Sequence, residues 1–230
     1  MIGKLVCCMT VLAMVAGVAS ASADVVVVPA GHGVREDIEI RQLAIGDPAP
    51  EFELFGVDLR YHSLDMYDDA KALVVVFLCN HCRVSVNYED TLIDLANKYR
   101  EKGVQFIAIN PNPEDKVAAD GFLRMRERAE AKGFPFPYLY DETQKIAHAF
   151  GPERTPHAFV FGPDRALVYK GSIDNHHRAP WFLVDALDAV LAGKEVETAV
   201  MREGMGEYKV FGCTVKYLTR EERGKKGLRF

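Results

Sequence analysis

Ala72-Leu73-Val74-Val75-Val76-Phe77-Leu78-Cys79-Asn80-His81-Cys82 is the stretch that decides how this chain folds. Its first seven residues are apolar and rich in β-branched side chains, the pattern of a strand buried on both faces. Residues 84–102, which follow, have the composition of a helix. The first thiol therefore stands where a strand ends and a helix begins. Backbone N–H groups and the helix dipole at such a junction favour an anion and lower a thiol's pKa. Two intervening residues let the second thiol reach back and close a small disulfide ring. The arrangement points to thiol–disulfide exchange.

The composition bounds the rest. A chain of 230 residues, half of them apolar, suits one domain with additions and buries a sizeable core. Its formal net charge of −5 carries no basic excess, which argues against a nucleic-acid partner. The N-terminus reads as a secretory signal. Lys4 supplies the positive end, residues 5–18 are apolar but short for a bilayer span, and Ala19-Ser20-Ala21-Ser22-Ala23 offers small residues for cleavage after Ala23. The alternative is that the same segment is retained as an anchor helix. Cys7 and Cys8 lie too early to be a lipoprotein cysteine and leave with the signal. The mature chain then keeps Cys79, Cys82 and Cys213, an odd number that argues against a disulfide-stapled scaffold. It suggests one working pair and one thiol that is buried or waits for a partner. The expected location is periplasmic or secreted, where disulfides persist, with no stable membrane span once the signal is gone.

Along the chain, residues 1–23 are the expected signal, 24–45 a lead-in, 46–193 the redox domain and 194–230 a C-terminal extension. Short strands are expected at 51–55 and 59–62, the central strand at 72–78 and a second buried strand at 104–109. Gly103 ends the intervening helix. Pro113 opens a polar helix over 114–132 that Gly121 interrupts, and a short strand follows at 138–140. Asp141 or Thr143 caps a helix running to Phe150. Gly162-Pro163-Asp164 turns a hairpin between 157–161 and 166–170. Residues 181–192 form an amphipathic helix with Trp181, Val184, Leu187, Val190 and Leu191 on one face. Residues 220–229 are charged and are expected to be mobile. No internal repeat is present. This order is that of an α/β protein with a central mixed sheet, an inserted helix and a C-terminal extension.

Four motifs resemble the thioredoxin-like AhpC/TSA (redoxin) family, nearest to its exported TlpA/ResA-type members. They are Gly46-Asp47-Pro48-Ala49-Pro50-Glu51-Phe52, the strand and redox turn from Val74 to Cys82, Phe134-Pro135-Phe136-Pro137-Tyr138-Leu139-Tyr140-Asp141, and Arg154-Thr155-Pro156-His157-Ala158-Phe159-Val160-Phe161. Together they span 46–193. The resemblance implies a thioredoxin-like fold and thiol–disulfide oxidoreductase activity on protein thiols, with an unidentified redox partner and no cofactor. It also implies that Cys79 is the exposed attacking thiol and Cys82 the shielded resolving one, acting through a mixed disulfide at Cys79. Asn80 and His81 complete the turn. His81 stands where the strongly oxidising DsbA type carries histidine, and a donor there would stabilise the Cys79 thiolate and give a potential less reducing than thioredoxin's. Pro156 takes the place of the family's cis-proline, and the backbone of Thr155 would pair with an extended substrate.

The chain departs from the family at three positions. Leu78 replaces the tryptophan common before the first cysteine, Ser85 an acidic residue six positions after it, and Leu73 the buried acid of thioredoxin. Glu89, seven residues beyond Cys82 on the same helix face, is the candidate proton acceptor.

Other readings of the same residues bring in different chemistry. A thiol peroxidase of the AhpC/TSA type needs a threonine three positions before its cysteine, where Val76 stands. Zinc wants four ligands, and one CxxC supplies two. A copper carrier could use Cys79 and Cys82 with His157, although His148, His157, His176 and His177 show no metal spacing. No metal is therefore expected. Cys213 is either a buried small hydrophobe or a second resolving thiol brought by the tail.

Overall fold

The computed structural model describes residues 40, 42–179, 181–196 and 210–230. The expected signal and most of the lead-in lie outside the described residues. Among the described residues no helix is long and apolar enough to cross a membrane. The strands are β1 (Glu53–Gly56), β2 (Tyr61–Ser63), β3 (Ala72–Phe77), β4 (Val104–Asn110), β5 (Tyr138–Tyr140), β6 (Arg154–Thr155), β7 (His157–Phe161), β8 (Leu167–Gly171) and β9 (Cys213–Thr214). The helices are α1 (Arg83–Arg100), α2 (Phe122–Lys132), α3 (Lys145–Phe150), α4 (Phe182–Leu191) and α5 (Arg220–Lys225).

Seven strands form one mixed sheet in the order β2-β1-β5-β4-β3-β7-β8. β3 lies parallel to β4 and antiparallel to β7, and β4 lies parallel to β5. Helical crossovers permit the parallel pairs, and the hairpin β7–β8 makes the antiparallel edge. The alternation of side chains along β3 builds two cores. Ala72, Val74, Val76 and Leu78 pack with Leu92, Leu95, Ala96 and Tyr99 of α1 and with α4. Leu73, Val75 and Phe77 face the other way, against Phe52 and against Ile146, Ala147 and Phe150 of α3. A strand buried on both faces is why the run from Ala72 reads as continuously apolar.

Three expectations need correction. The interruption expected at Gly121 is present, but no α-helix precedes it in the polar stretch 114–132. Residues Ala118–Asp120 form a 3-10 turn, the chain extends at Gly121, and α2 begins only at Phe122. A Cβ on Gly121 would sit 2.4 Å from the Glu114 side chain, whose end would have to move aside. In α4 the buried side chains are Phe182, Leu183, Ala186 and Leu187, while Trp181 is 45 % exposed. That helix is apolar nearly all round, so periodicity alone leaves its inner face open.

The third correction concerns the tail. Residues 220–229, expected to be mobile, carry α5, opened by a capping box in which the Thr219 side chain accepts from the Glu222 N–H and Glu222 from the Thr219 N–H. Ahead of it, β9 pairs antiparallel with β6, Thr155 standing opposite Cys213. Gln144 donates to the Lys216 carbonyl and accepts from the Leu218 N–H, while Asn112 accepts from the Lys216 N–H. Tyr217 donates to the Pro152 carbonyl. Charge and low periodicity hid these tertiary hydrogen bonds from the sequence.

Candidate active site

The redox turn hangs between the end of β3 and Cys82, the N-cap of α1. It is held from outside by Asp120, in the 3-10 turn before α2. One Asp120 oxygen accepts from the N–H groups of Asn80 (2.8 Å) and His81 (3.0 Å). The other accepts from Nδ1 of His81 (2.6 Å) and from the Asn112 amide (2.8 Å). A carboxylate only accepts, so the His81 proton sits on Nδ1. Asn80 donates to the Ala119 carbonyl and accepts from the Tyr138 hydroxyl. Asp120 is fully buried, so four donors offset the cost of its charge.

Thr155 contacts both thiols from the other side. Its Oγ1 lies 2.9 Å from the Cys79 sulfur, and its carbonyl accepts from the Cys82 thiol at 3.1 Å. The Thr155–Pro156 bond is cis. From the tail, the Cys213 N–H donates to the Cys82 sulfur at 3.2 Å. Cys79, Cys82 and Cys213, the cysteines among the described residues, are free thiols.

The electrostatics of the two thiols diverge. The hydrogen bond shared with Cys82 pushes the Cys79 thiol up, helped by burial and by the negative charge of Asp120, while the Thr155 hydroxyl works against them. Cys82 is pulled down by the bond from Cys79 and by the N–H groups of Ser85 and Cys213, against the effect of burial. In the dithiol the proton therefore stays on Cys79 and negative charge collects on Cys82. A stabilised Cys82 thiolate is a ready nucleophile for a mixed disulfide at Cys79.

Several expectations change at this point. Cys79 is not exposed: only 1 % of its surface is accessible, and the Thr155 side chain ahead of the cis-proline lies against its sulfur. His81 does not offer its Nδ1–H to the Cys79 sulfur, since that donor is spent on Asp120. Its Nε2 is buried with no hydrogen-bond partner among the described residues. Glu89 does not serve the thiols. Both its oxygens accept from Arg128, at 2.5 and 2.7 Å, which ties α1 to α2. The Thr155 backbone, expected to pair with a substrate, already pairs with Cys213. His157 stacks on Phe159 at 4.6 Å, and burial holds its pKa down to about 3.

Sequence reasoning missed Asp120 and Asn112. They lie in the loops after β4, and the one local sign was the helix break at Gly121. Asp120 also completes a cluster in which Cys79, His81 and Asp120 offer ligand atoms within 4.8 Å of one another. A cation there would compete with donors that already fill the carboxylate's lone pairs.

Comparison with known proteins agrees with this geometry. Residues 45–170 match the model of the AhpC/TSA family. The thiol-disulfide oxidoreductase ResA of Bacillus thuringiensis is 27 % identical over 128 residues, 55 % of this chain and 69 % of that one. An uncharacterized conserved protein from Geobacillus kaustophilus superposes with a TM-score of 0.68 at 35 % identity, over 76 % of this chain and 93 % of that one. A protein assigned as the thiol:disulfide interchange protein DsbE of Chlorobium tepidum shares the fold, with a TM-score of 0.53 at 19 % identity, over 65 % of this chain and 99 % of that one. A sheet of this order, with two thiols at the head of α1 facing a cis-proline and with these matches, means that the chain belongs to the AhpC/TSA family and has its thioredoxin-like fold.

Proposed function

We propose that the mature chain is an exported thiol–disulfide oxidoreductase that exchanges disulfides with protein thiols through Cys79 and Cys82. The contact of both thiols with Thr155, beside the cis-proline and at the head of α1, carries this reading. In the reducing direction, Cys79 gives up its proton to water and attacks one sulfur of a substrate disulfide. The substrate's other sulfur leaves as a thiolate and takes up a proton. Cys82, already biased toward thiolate, then attacks the Cys79 sulfur, releasing the second substrate thiol and leaving the Cys79–Cys82 disulfide. With its Nδ1–H taken by Asp120, His81 gives the Cys79 thiolate no DsbA-type stabilisation, so the couple stands nearer thioredoxin than DsbA. The composition of residues 1–23 supports export to the periplasm or beyond, and sequencing of the exported protein should find Asp24 first.

Equilibration of the mature Cys213→Ser chain with glutathione buffers, read by thiol trapping, tests the reading. The expected result is one two-electron transition near −270 mV, the value of thioredoxin. A pair that forms no reversible disulfide, together with stoichiometric copper or zinc binding to the reduced protein, would replace it with metal carriage at Cys79, His81 and Asp120. Peroxidase chemistry has less support, because Val76 is a buried strand residue without a hydroxyl.

A further inference from the structure

We propose that Cys213 is a third redox thiol: β9 docks as a built-in substrate strand and exchanges with Cys82 to give a Cys82–Cys213 disulfide that frees Cys79. This deepens the proposed function and rests on it.

Three observations carry the inference. First, β9 occupies the backbone of Thr155, the position at which an extended partner would add to the site. Second, the Cys213 N–H reaches the Cys82 sulfur at 3.2 Å. Cys213 is also a free cysteine and only partly buried. Third, the approach is built into the chain. A Cβ on Gly212 would lie 1.9 Å from the Thr155 carbonyl oxygen, and Gly212 has φ +141, so glycine lets the tail come this close. The Gly212 carbonyl in turn accepts from Arg154 at 2.9 Å.

The step balances without an external reagent. Cys213 loses its proton to water, and its thiolate attacks the Cys82 sulfur of the Cys79–Cys82 disulfide. The S–S bond to Cys79 breaks, and its electron pair leaves on the Cys79 sulfur, which takes up a proton. One disulfide is lost and one formed. A tethered thiol acts at an effective concentration in the millimolar range or above, so the tail competes with free thiols for Cys82. The exchanged form leaves Cys79 as a thiol ready for a further partner while the oxidising equivalent is held in the tail.

The full mature chain carrying Cys79→Ser tests this, with Cys79→Ala as a second version in case one folds poorly. Each is treated with oxidised glutathione, alkylated and digested with trypsin without reduction. Peptides 72–83 and 210–216 then carry one cysteine each. The expected result is that most molecules are monomers in which these two peptides are cross-linked, glutathione having been displaced from Cys82. Adding Gly212→Val should lower the cross-link yield at least fivefold, with glutathione accumulating on Cys82. Glutathione retained on Cys82 beside an alkylatable Cys213 in both versions would overturn the inference, as would cross-linking unaffected by Gly212→Val. Failure of the proposed function is read separately, in the Cys213→Ser titration, which contains no tail thiol.

Discussion

Asp120 and His81 are joined by a 2.6 Å hydrogen bond between Oδ2 and Nδ1, while Oδ1 of the same carboxylate accepts from the His81 N–H. The donors of the redox turn, which in isolation would face a thiolate, are thus turned toward a buried carboxylate. Asp120 adds its own negative charge to the site, and Cys79 feels it as repulsion.

Asp120→Asn removes that charge and keeps one acceptor for the turn. The Cys79 thiol should fall, so reduced protein should react faster with iodoacetamide at neutral pH. The potential should rise by about 30 mV for each 1.4 kcal/mol gained by the thiolate form. Alkylation rate and glutathione titration check this, and an unchanged pair of values would show that the charge is not felt at Cys79.

Thr155→Val deletes the Oγ1 contact to Cys79 at nearly constant volume. That hydroxyl lowers the Cys79 thiol, so its loss should push the thiol further up and slow alkylation several-fold. The Thr155 carbonyl contact to Cys82 survives, so stability should fall by only about 1 kcal/mol. Stopped-flow thiol labelling and thermal melts separate the two effects.

Glu89 was the sequence's candidate proton acceptor and is structurally a tie to Arg128. Glu89→Ala leaves Arg128 without its buried partner and should cost about 2 kcal/mol, or a Tm drop of roughly 4–8 °C for a chain of this size. The potential and the resolving rate should not change. A shifted potential with normal stability would return Glu89 to the redox chemistry.

His157 sets an acid limit to stability. Burial, with the nearby charge of Lys170, lowers its pKa from 6.5 to about 3. Between those values the unfolded chain binds more protons than the folded one, so stability is lost as pH falls from 6.5 toward 3. The largest slope is about 1.4 kcal/mol per pH unit. Asp141, raised to about 6 by burial, acts oppositely between 3.8 and 6. His157→Phe should flatten the acid limb, and urea midpoints at pH 4 and pH 7 measure it. Equal losses in variant and parent would sink the assignment.

Much of this architecture was legible because it follows from local rules. The apolar run from Ala72 had to be a doubly buried strand, Gly103 had to end α1, and the motif around Pro156 placed a proline loop beside the thiols. The docking of Asn80 and His81 against the loop after β4 was not legible. Asp120 lies about forty positions from the cysteines, and the helix break at its neighbour Gly121 does not by itself mark it as a cap. Its role arises only because β4 runs parallel to β3 and so delivers the following loop to the same end of the sheet as the redox turn.

The tail makes the same point from the opposite side. Phe211-Gly212-Cys213 shows alternation and a spare thiol, and by itself it leaves open whether that thiol is buried filler or a reactant. By itself the sequence determined the strand–CxxC–helix unit, the succession of the main strands and helices along the chain and the family, because periodicity and short motifs are properties of neighbouring residues. Only the tertiary structure decided that Asp120 faces Cys79, that Glu89 serves Arg128 and that Cys213 meets Cys82. Hydrogen bonds between segments distant in the chain depend on which ends of the sheet and which loops the fold brings together, and no local pattern encodes that.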